Sequence, residues 1–469
     1  MGELTAGRQV AISVLRRTFE EGDFTERAFR EEADRAGLDR RERSLAQFLS
    51  FGSVQRKGTS DRLVREFSRN RDSRPGPAAA AALRLALFEL FFSRSPAEHA
   101  VVDQAVGYVK EAGEARAGGF VNALLRRAIR ERAGIEDRLA RTGSPEELAF
   151  SCSLPIWLSR MWWEELGPQR AASLAAAIND PPERCLELNL EKIEAVGLEP
   201  ESVIDRIAGG GEGDPDGERV EVLPADGPWP LAPRWLFTVS GSLEAAEQLA
   251  AEGLLTILSR GSAAVVEALA PEEGERVLDL CSGPGTKTGL IAGRVGRYGN
   301  VVAVEPEPER ADDVADRVER LGFHNTLVVE ADGRDAEILA DFERILVDAP
   351  CSDLGALASR PDARWRKSPD VVARLTDLQA ALLDRAAAQL APGGTLVYST
   401  CTISRRENRD QAIGFASRSG LSIDDLGRLS PGLADPSDSR FLQILPDRDR
   451  TTGFFIARFR SRQLPEEAG

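Results

Sequence analysis

The sequence predicts three parts in series: an all-helical domain, a small α+β connector and a doubly wound α/β domain, giving an α plus α/β multidomain chain. Three observations carry this. From Arg8 to Arg132 apolar residues recur at three-to-four spacing and no strand-like run intervenes. Residues 146–250 mix short apolar runs with a helix and a glycine- and proline-rich stretch. From Gly274 onward, apolar runs of strand length alternate with helical stretches. At 469 residues, 42% hydrophobic and 29% charged, the chain is too long for one ordinary domain and apolar enough to build several cores.

In the helical part, bounded at 1–140, the apolar positions are Val10, Ile12 and Leu15, then Leu45, Phe48 and Leu49, then Leu83, Leu85, Phe88 and Leu90. Breaks at 74–77, 95–96 and 118–119 divide it into about six or seven short helices. The connector, 141–250, offers short strands at 186–190 and 218–223 about a helix ending near Ile207, with 209–217 and 224–233 as loop. In the last part, 251–465, strands are expected at 276–280, 301–304, 326–329, 345–347 and 395–398, alternating with helices such as 309–321 and 371–390. Two further runs, 441–445 and 453–459, read as an antiparallel hairpin at one edge of the sheet.

The net charge of −16 suits a nucleic-acid partner poorly until it is divided along the chain. Residues 1–140 hold 25 Lys and Arg against 21 Asp and Glu, net +4, whereas the rest holds 35 against 55, net −20. A phosphate backbone would be met by the first part. Arg126, Arg127 and Arg130, close together at the end of a predicted helix, are candidate RNA contacts; alternatively they cap that helix and pair with acids such as Glu131. Only two histidines occur, which disfavours histidine metal centres and serine-histidine-acid hydrolysis. The five scattered cysteines suit neither a secreted disulfide framework nor a close-spaced zinc site, so no metal is expected. No window approaches the ~18 to 20 apolar residues of a membrane span, and the expectation is a soluble, cytoplasmic protein.

The first strand of the last part runs into Asp279-Leu280-Cys281-Ser282-Gly283-Pro284-Gly285-Thr286-Lys287-Thr288, ahead of a helix. Glycines there let the backbone approach a ligand at a helix N-terminus. A phosphate-binding P-loop needs glycine directly before its lysine, where this chain has Thr286, and a dinucleotide fingerprint needs a third glycine that is missing. S-adenosylmethionine is the remaining candidate ligand. Glu305 closes strand two, where an acid can receive ribose hydroxyls; Asp332 closes strand three, placed for an adenine amino group; Asp348 closes strand four. Singly, each acid could be a solvated loop residue or a helix cap.

Two cysteines stand at the same rim, in Asp348-Ala349-Pro350-Cys351-Ser352 and Ser399-Thr400-Cys401-Thr402. A single buried cysteine is usually an inert small hydrophobe. At two successive strand ends, however, thiolates can serve as nucleophiles. Cytosine C5 takes a methyl group only after a thiolate adds to C6, with an acid near N3 supporting the charge and a further group at C5. Cys401, Asp348 and Cys351 match these roles.

These motifs resemble the RNA 5-methylcytosine methyltransferases with two active-site cysteines. Leu83 to Leu90, Pro96 to Val102 and Phe120 to Arg127 resemble a NusB-like RNA-binding domain. The order of the parts is similar to the bacterial 16S ribosomal RNA cytosine-C5 methyltransferase B family, with further matches at 360–365, 378–379, 407–408 and 443–446. The resemblance implies a NusB-like domain, a connector and a Rossmann-like class I methyltransferase domain. It implies Cys401 as nucleophile, Cys351 as the group that assists product release, and cofactor contacts from Cys281, Ser282, Gly283, Pro284, Gly285, Thr286, Lys287, Glu305, Asp332 and Asp348. The expected partner is RNA, foremost 16S ribosomal RNA, and the expected state a monomer. A related enzyme with a tRNA or other ribosomal RNA target, or a non-catalytic RNA-binding assembly factor, is the alternative. Departures from the family fall at four places: Thr286 and Asp353 stand where glycines are usual, Leu258-Ser259 replaces a Gln-Asp pair, and Glu187 stands where an arginine is usual. Together these remove expected polar or basic contacts or add acid, Asp353 placing a negative charge near where RNA is expected.

Overall fold

The chain divides into two units, Met1–Pro181 with Leu357–Ser368, and Pro182–Ala356 with Pro369–Gly469. The structure, a computed structural model, describes residues 4–68, 74–94, 96–209, 220–336, 338 and 341–462. The division differs from boundaries at 140 and 250: residues 141–181 of the expected connector belong to the helical unit and 182–250 to the α/β unit. The expected loop at 210–217 lies outside the described residues.

Between residues 6 and 139 the first unit has eight described α-helices, one or two more than the break signals suggest. Helix Pro77–Phe92 is buried around most of its circumference, because its sequence is alanine and leucine on nearly every face. Leu83, Leu87 and Leu90 from it meet Val101, Val102, Leu124 and Leu125 in one core, while Leu85 and Phe88 meet Ile12, Leu15 and Leu49 in another. Pro77 at its first turn gives up no needed amide, and Asp39 caps helix Arg40–Gln55 by accepting from the Glu42 amide at 2.8 Å. Helices Pro145–Ser151, Ile156–Leu166 and Pro168–Ala177 complete the unit.

The segment Leu357–Ser368 is held in this unit by Arg364, which is fully buried. Its guanidinium donates to Asn179 Oδ1 at 3.1 Å, to the Ser153 carbonyl at 3.3 Å and to the Leu357 carbonyl at 3.2 Å. Trp365 Nε1 donates to the Val54 carbonyl at 2.7 Å. Burial of Arg364 beside Arg56 pulls its pKa down to about 9, so carbonyl dipoles carry the task a carboxylate usually performs.

In the second unit a four-stranded antiparallel sheet is built from β1 (Cys185–Leu188), β2 (Glu221–Pro224), β3 (Leu236–Ser240) and β4 (Leu255–Leu258), in the order β2-β3-β1-β4. The nine-stranded sheet holds β5 (Arg276–Asp279), β6 (Asn300–Glu305), β7 (Thr326–Glu330), β8 (Phe342–Asp348), β9 (Leu390–Thr400), β10 (Ser422–Ile423), β11 (Ala434–Asp435), β12 (Asp438–Ile444) and β13 (Phe454–Arg460). Strands β7-β6-β5-β8-β9 are parallel, and β13 and β12 add antiparallel at one edge as the sequence predicts. The chain runs outward from β5 to β7, then returns to β8 on the other side of β5. This reversal opens a crevice at the carboxyl ends of the strands.

Replacing Arg364 with alanine leaves several buried carbonyls unpartnered and a void where the guanidinium lay. A loss of about 3 kcal/mol is expected, read as a lower urea midpoint for the helical unit.

Candidate active site

The carboxyl ends of β5, β6, β8 and β9 bring the sequence-predicted residues to one rim of the second unit. The loop after β5 turns through Gly283 and Gly285, and helix Thr286–Val295 follows directly. A Cβ at Gly283 would lie 2.2 Å from Glu305 Oε2, and Gly285 has φ +85°, so neither position admits a side chain. The Gly283 amide donates to Glu305 Oε2 at 3.0 Å, while the Glu307 amide donates to Glu305 Oε1 at 3.2 Å. Arg310 donates to the Gly283 carbonyl at 2.8 Å and Arg317 to the Pro284 carbonyl at 2.9 Å. Backbone and carboxylate of the loop are thereby fixed by the protein's own groups.

Asp279, fully buried, accepts from Thr288 Oγ1 at 2.7 Å. Burial raises its pKa to about 6, with Asp348 adding to the rise and Thr288 opposing it. Cys281 is half-buried, and its thiol is pushed well up by burial and by the carboxylates of Asp279, Asp348, Glu305 and Asp332. It can offer backbone or a neutral thiol, but no thiolate. Asp332 lies two residues beyond the end of β7 rather than at its last residue, and Arg334 holds its carboxyl down at about 2.

Asp348 is the last residue of β8. Lys287 Nζ lies 2.5 Å from its Oδ2, and Ser399 Oγ donates to Oδ1 at 2.7 Å. Three residues on, Cys351 Sγ lies 3.2 Å from Cys401 Sγ, at the end of β9. Cys401 Sγ donates to Asp353 Oδ1 at 3.2 Å. Both cysteine loops are set by Glu407, which is fully buried: it accepts from the Ser352 amide at 2.9 Å, Ser352 Oγ at 2.5 Å and Gln379 Nε2 at 3.2 Å. Asn408 accepts from Thr400 Oγ1 at 2.6 Å and donates to the Thr402 carbonyl at 3.0 Å, bracketing Cys401. The arrangement can present one thiol as a nucleophile, a second beside it, and an oriented acid.

Three partners were not legible as such: Ser399 on Asp348, Asp353 on Cys401, and Arg310 on the glycine loop. Asp353 carried a signal, since an acid in a glycine position at φ +57° is unusual. Two of the family departures prove to be internal substitutions. Glu187 is buried and pairs with Arg294 at 3.0 Å, burial pushing its carboxyl up, so it is no acid facing outward toward RNA. Ser259 caps helix Arg260–Leu269 by accepting from the Ser262 amide at 3.2 Å. In the first unit Arg127 is committed to Glu131 at 2.7 Å and lies over the Phe67 ring, the pairing alternative, whereas Arg126 and Arg130 are exposed.

A doubly wound sheet with a glycine turn and acids at successive strand ends defines a Rossmann-like methyltransferase, here behind an N-terminal helical NusB-like region. The family model for "16S rRNA methyltransferase RsmB/F" matches residues 266–460, and that for the NusB family matches residues 5–130. Ribosomal RNA small subunit methyltransferase B of Pseudomonas syringae pv. tomato is 30% identical over 440 residues, 90% of this chain and 90% of that one. Ribosomal RNA small subunit methyltransferase F of Serratia proteamaculans is 37% identical over 243 residues, half of each chain. The crystal structure of PH0851, 23% identical, has the same fold, with a TM-score of 0.78 over 98% of this chain and 99% of that one. The chain belongs to the RsmB/F family of ribosomal RNA methyltransferases. Among the described residues no helix is long and apolar enough to cross a membrane.

The raised pKa of Asp279 has a definite sign. Below pH ~4 the group is protonated folded and unfolded; between about 4 and 6 only the unfolded chain ionises, so stability falls across that window. A shift from 3.8 to about 6 corresponds to about 3 kcal/mol. Asp279→Asn should therefore gain stability relative to the parent as pH rises from 4 to 6 and hold that gain above 6, seen in thermal midpoints measured without cofactor.

Proposed function

We propose that the protein methylates cytosine C5 in RNA, foremost 16S ribosomal RNA, with S-adenosylmethionine as methyl donor, acting as a cytoplasmic monomer. The observation that carries this reading is the pair of thiols 3.2 Å apart at successive strand ends, beside an acid tethered by Lys287 and Ser399. The cofactor supplies an electrophilic sulfonium methyl. The residues present fit it: Gly283 lets Glu305 close against the loop backbone, Glu305 is held at the end of β6 for ribose hydroxyls, and Asp332 stands near the end of β7 for the adenine amine. The NusB-like unit supports an RNA substrate.

In this mechanism Cys401 gives its proton to Asp353, whose Oδ1 it meets at 3.2 Å, and its sulfur bonds to cytosine C6, which moves electron density to C5. Asp348 orients and supports the N3 edge while charge develops there, its own position fixed by Lys287 and Ser399. After C5 has gained the methyl group, the C5 proton passes to the Cys351 sulfur, the C5–H electron pair restores the C5–C6 double bond, and the C6–S bond breaks to return the Cys401 thiolate. Cys351 assists this release. A base inside structured RNA must first be unstacked to reach the thiols. Bisulfite sequencing of ribosomal RNA from cells lacking the protein tests activity and target together; unchanged 5-methylcytosine at every position would sink the proposal.

Cys401→Ala is expected to cut methyl transfer by more than about a hundredfold while cofactor affinity is kept. Cys351→Ala is expected to hold the enzyme on RNA through Cys401, as a slow-migrating band on denaturing gels that depends on cofactor. Methylation without any such band would move Cys351 out of the release step.

Arg126 and Arg130 supply the exposed charge of the helix Gly118–Arg130. Changing both to alanine should weaken RNA binding and reduce the slope of log affinity against log salt by up to roughly 0.7 for each single-strand phosphate that is no longer neutralised. Arg127→Ala should cost less affinity, since that guanidinium is shared with Glu131 and Phe67. Filter-binding titrations at several salt concentrations distinguish the two cases.

A further inference from the structure

The side chains at the ends of β8 and β9 have a second chemistry. Cys351 Sγ and Cys401 Sγ are 3.2 Å apart, Cys401 Sγ is 3.2 Å from Asp353 Oδ1, and all three donor atoms fall within 4.8 Å of one another. A tetrahedral zinc ion, with bonds of about 2.3 Å to thiolate and about 2.0 to 2.2 Å to carboxylate, separates its ligand atoms by roughly 3.6 to 3.8 Å. To admit an ion, the two 3.2 Å separations must each open by roughly half an ångström.

The backbone holds these donors in place. The Gly355 amide donates to the Cys401 carbonyl at 3.0 Å, and the Gly453 amide to the Gly355 carbonyl at 2.9 Å. A Cβ on Gly355 would sit 2.5 Å from the Gly453 carbonyl oxygen, so the close approach depends on glycine. Asp353 itself sits at φ +57°, which turns its carboxylate back over Cys401. The other thiols are poor competitors: burial pushes Cys185 up to about 12, raises Cys152, and raises Cys281 further with help from four carboxylates.

We propose that Cys351, Cys401 and Asp353 bind a soft divalent cation of the zinc class, leaving a fourth position open to water. Two thiolates select such an ion over magnesium or calcium, and three protein ligands with one open position is a coordination that zinc accepts. The ion would occupy the lone pair that Cys401 uses to attack C6, so zinc opposes methyl transfer and is displaced when the reaction proceeds. That consequence rests on Cys401 being the nucleophile; the binding itself does not.

Cobalt(II) titrated into the full-length protein, with no RNA or cofactor, is the test. The expected result is a thiolate-to-cobalt charge-transfer band that saturates at one ion per chain and vanishes on adding zinc. Cys351→Ala and Asp353→Gly should each weaken cobalt binding at least about tenfold, while Cys185→Ala leaves it unchanged. Glycine suits the backbone at 353, so Asp353→Gly is expected to melt at the parent temperature and reports on the ligand alone. No band at stoichiometric cobalt, or a band undiminished in both Cys351→Ala and Asp353→Gly, overturns the site. A chain that methylates RNA yet gives no band overturns this inference only; one that gives the band and never methylates overturns the proposed activity only.

Discussion

The Glu407 carboxylate is the constraint on which the site's geometry depends. It is fully buried, yet it accepts from the Ser352 amide, Ser352 Oγ and Gln379 Nε2. Gln379 in turn donates to the Pro350 carbonyl at 2.9 Å, and Tyr398 donates to the Glu407 carbonyl at 2.6 Å. One carboxylate thus joins the loop after β8, the loop after β9 and the helix Pro369–Ala387. A buried carboxylate stripped of these donors would face a desolvation cost of several kcal/mol, so the loops are held in the one arrangement that satisfies it. The 3.2 Å approach of the two thiols follows from this anchoring.

Around that anchor, charge is graded. Asp348 is oriented by Lys287 and Ser399, whereas Asp279, a few residues along the neighbouring strand and fully buried, is pushed toward the neutral form. Burial, and after it the same acids, push the Cys281 thiol well up. Parallel strands place these groups together because every carboxyl end points the same way, and the reversal at β5 leaves space between them. The rim's negative charge suits a ligand carrying positive charge near its reacting atom and disfavours a triphosphate, in agreement with the missing glycine before Lys287.

Much of this was legible in the residues. Parallel strands buried on both faces read as continuous Val, Ile and Leu runs, so five central strands were visible to within a few residues. The strand-end motifs carried Asp348, Cys351 and Cys401 by spacing alone. What was hidden depends on distant partners. Nothing local in 357–368 announces that Arg364 will be received by carbonyls near residues 153 and 179, so the discontinuous unit could not be read from a linear boundary. Strands β3 and β4 are only five and four residues long, flanked by proline-rich and acidic stretches that mask a short apolar run. Glu187 read as a lost arginine because its partner, Arg294, is more than a hundred residues away.

A similar distinction governs the basic helical unit. A net +4 is a count of side chains, and counterion release requires side chains that can reach phosphate. Many arginines here are already engaged: Arg17 with Asp23, Glu31 and Glu32, Arg84 with Asp61, Arg132 with Glu98, Arg138 with Glu66. Several also lie over aromatic rings, Arg84 over Phe19, Arg132 over Phe91 and Arg138 over Phe150. Such residues contribute to the long-range field that guides a polyanion, but contacting a phosphate would mean leaving an acid and a ring behind. The charge available to RNA is accordingly the exposed remainder, and affinity is set by where that remainder lies on the surface more than by the total.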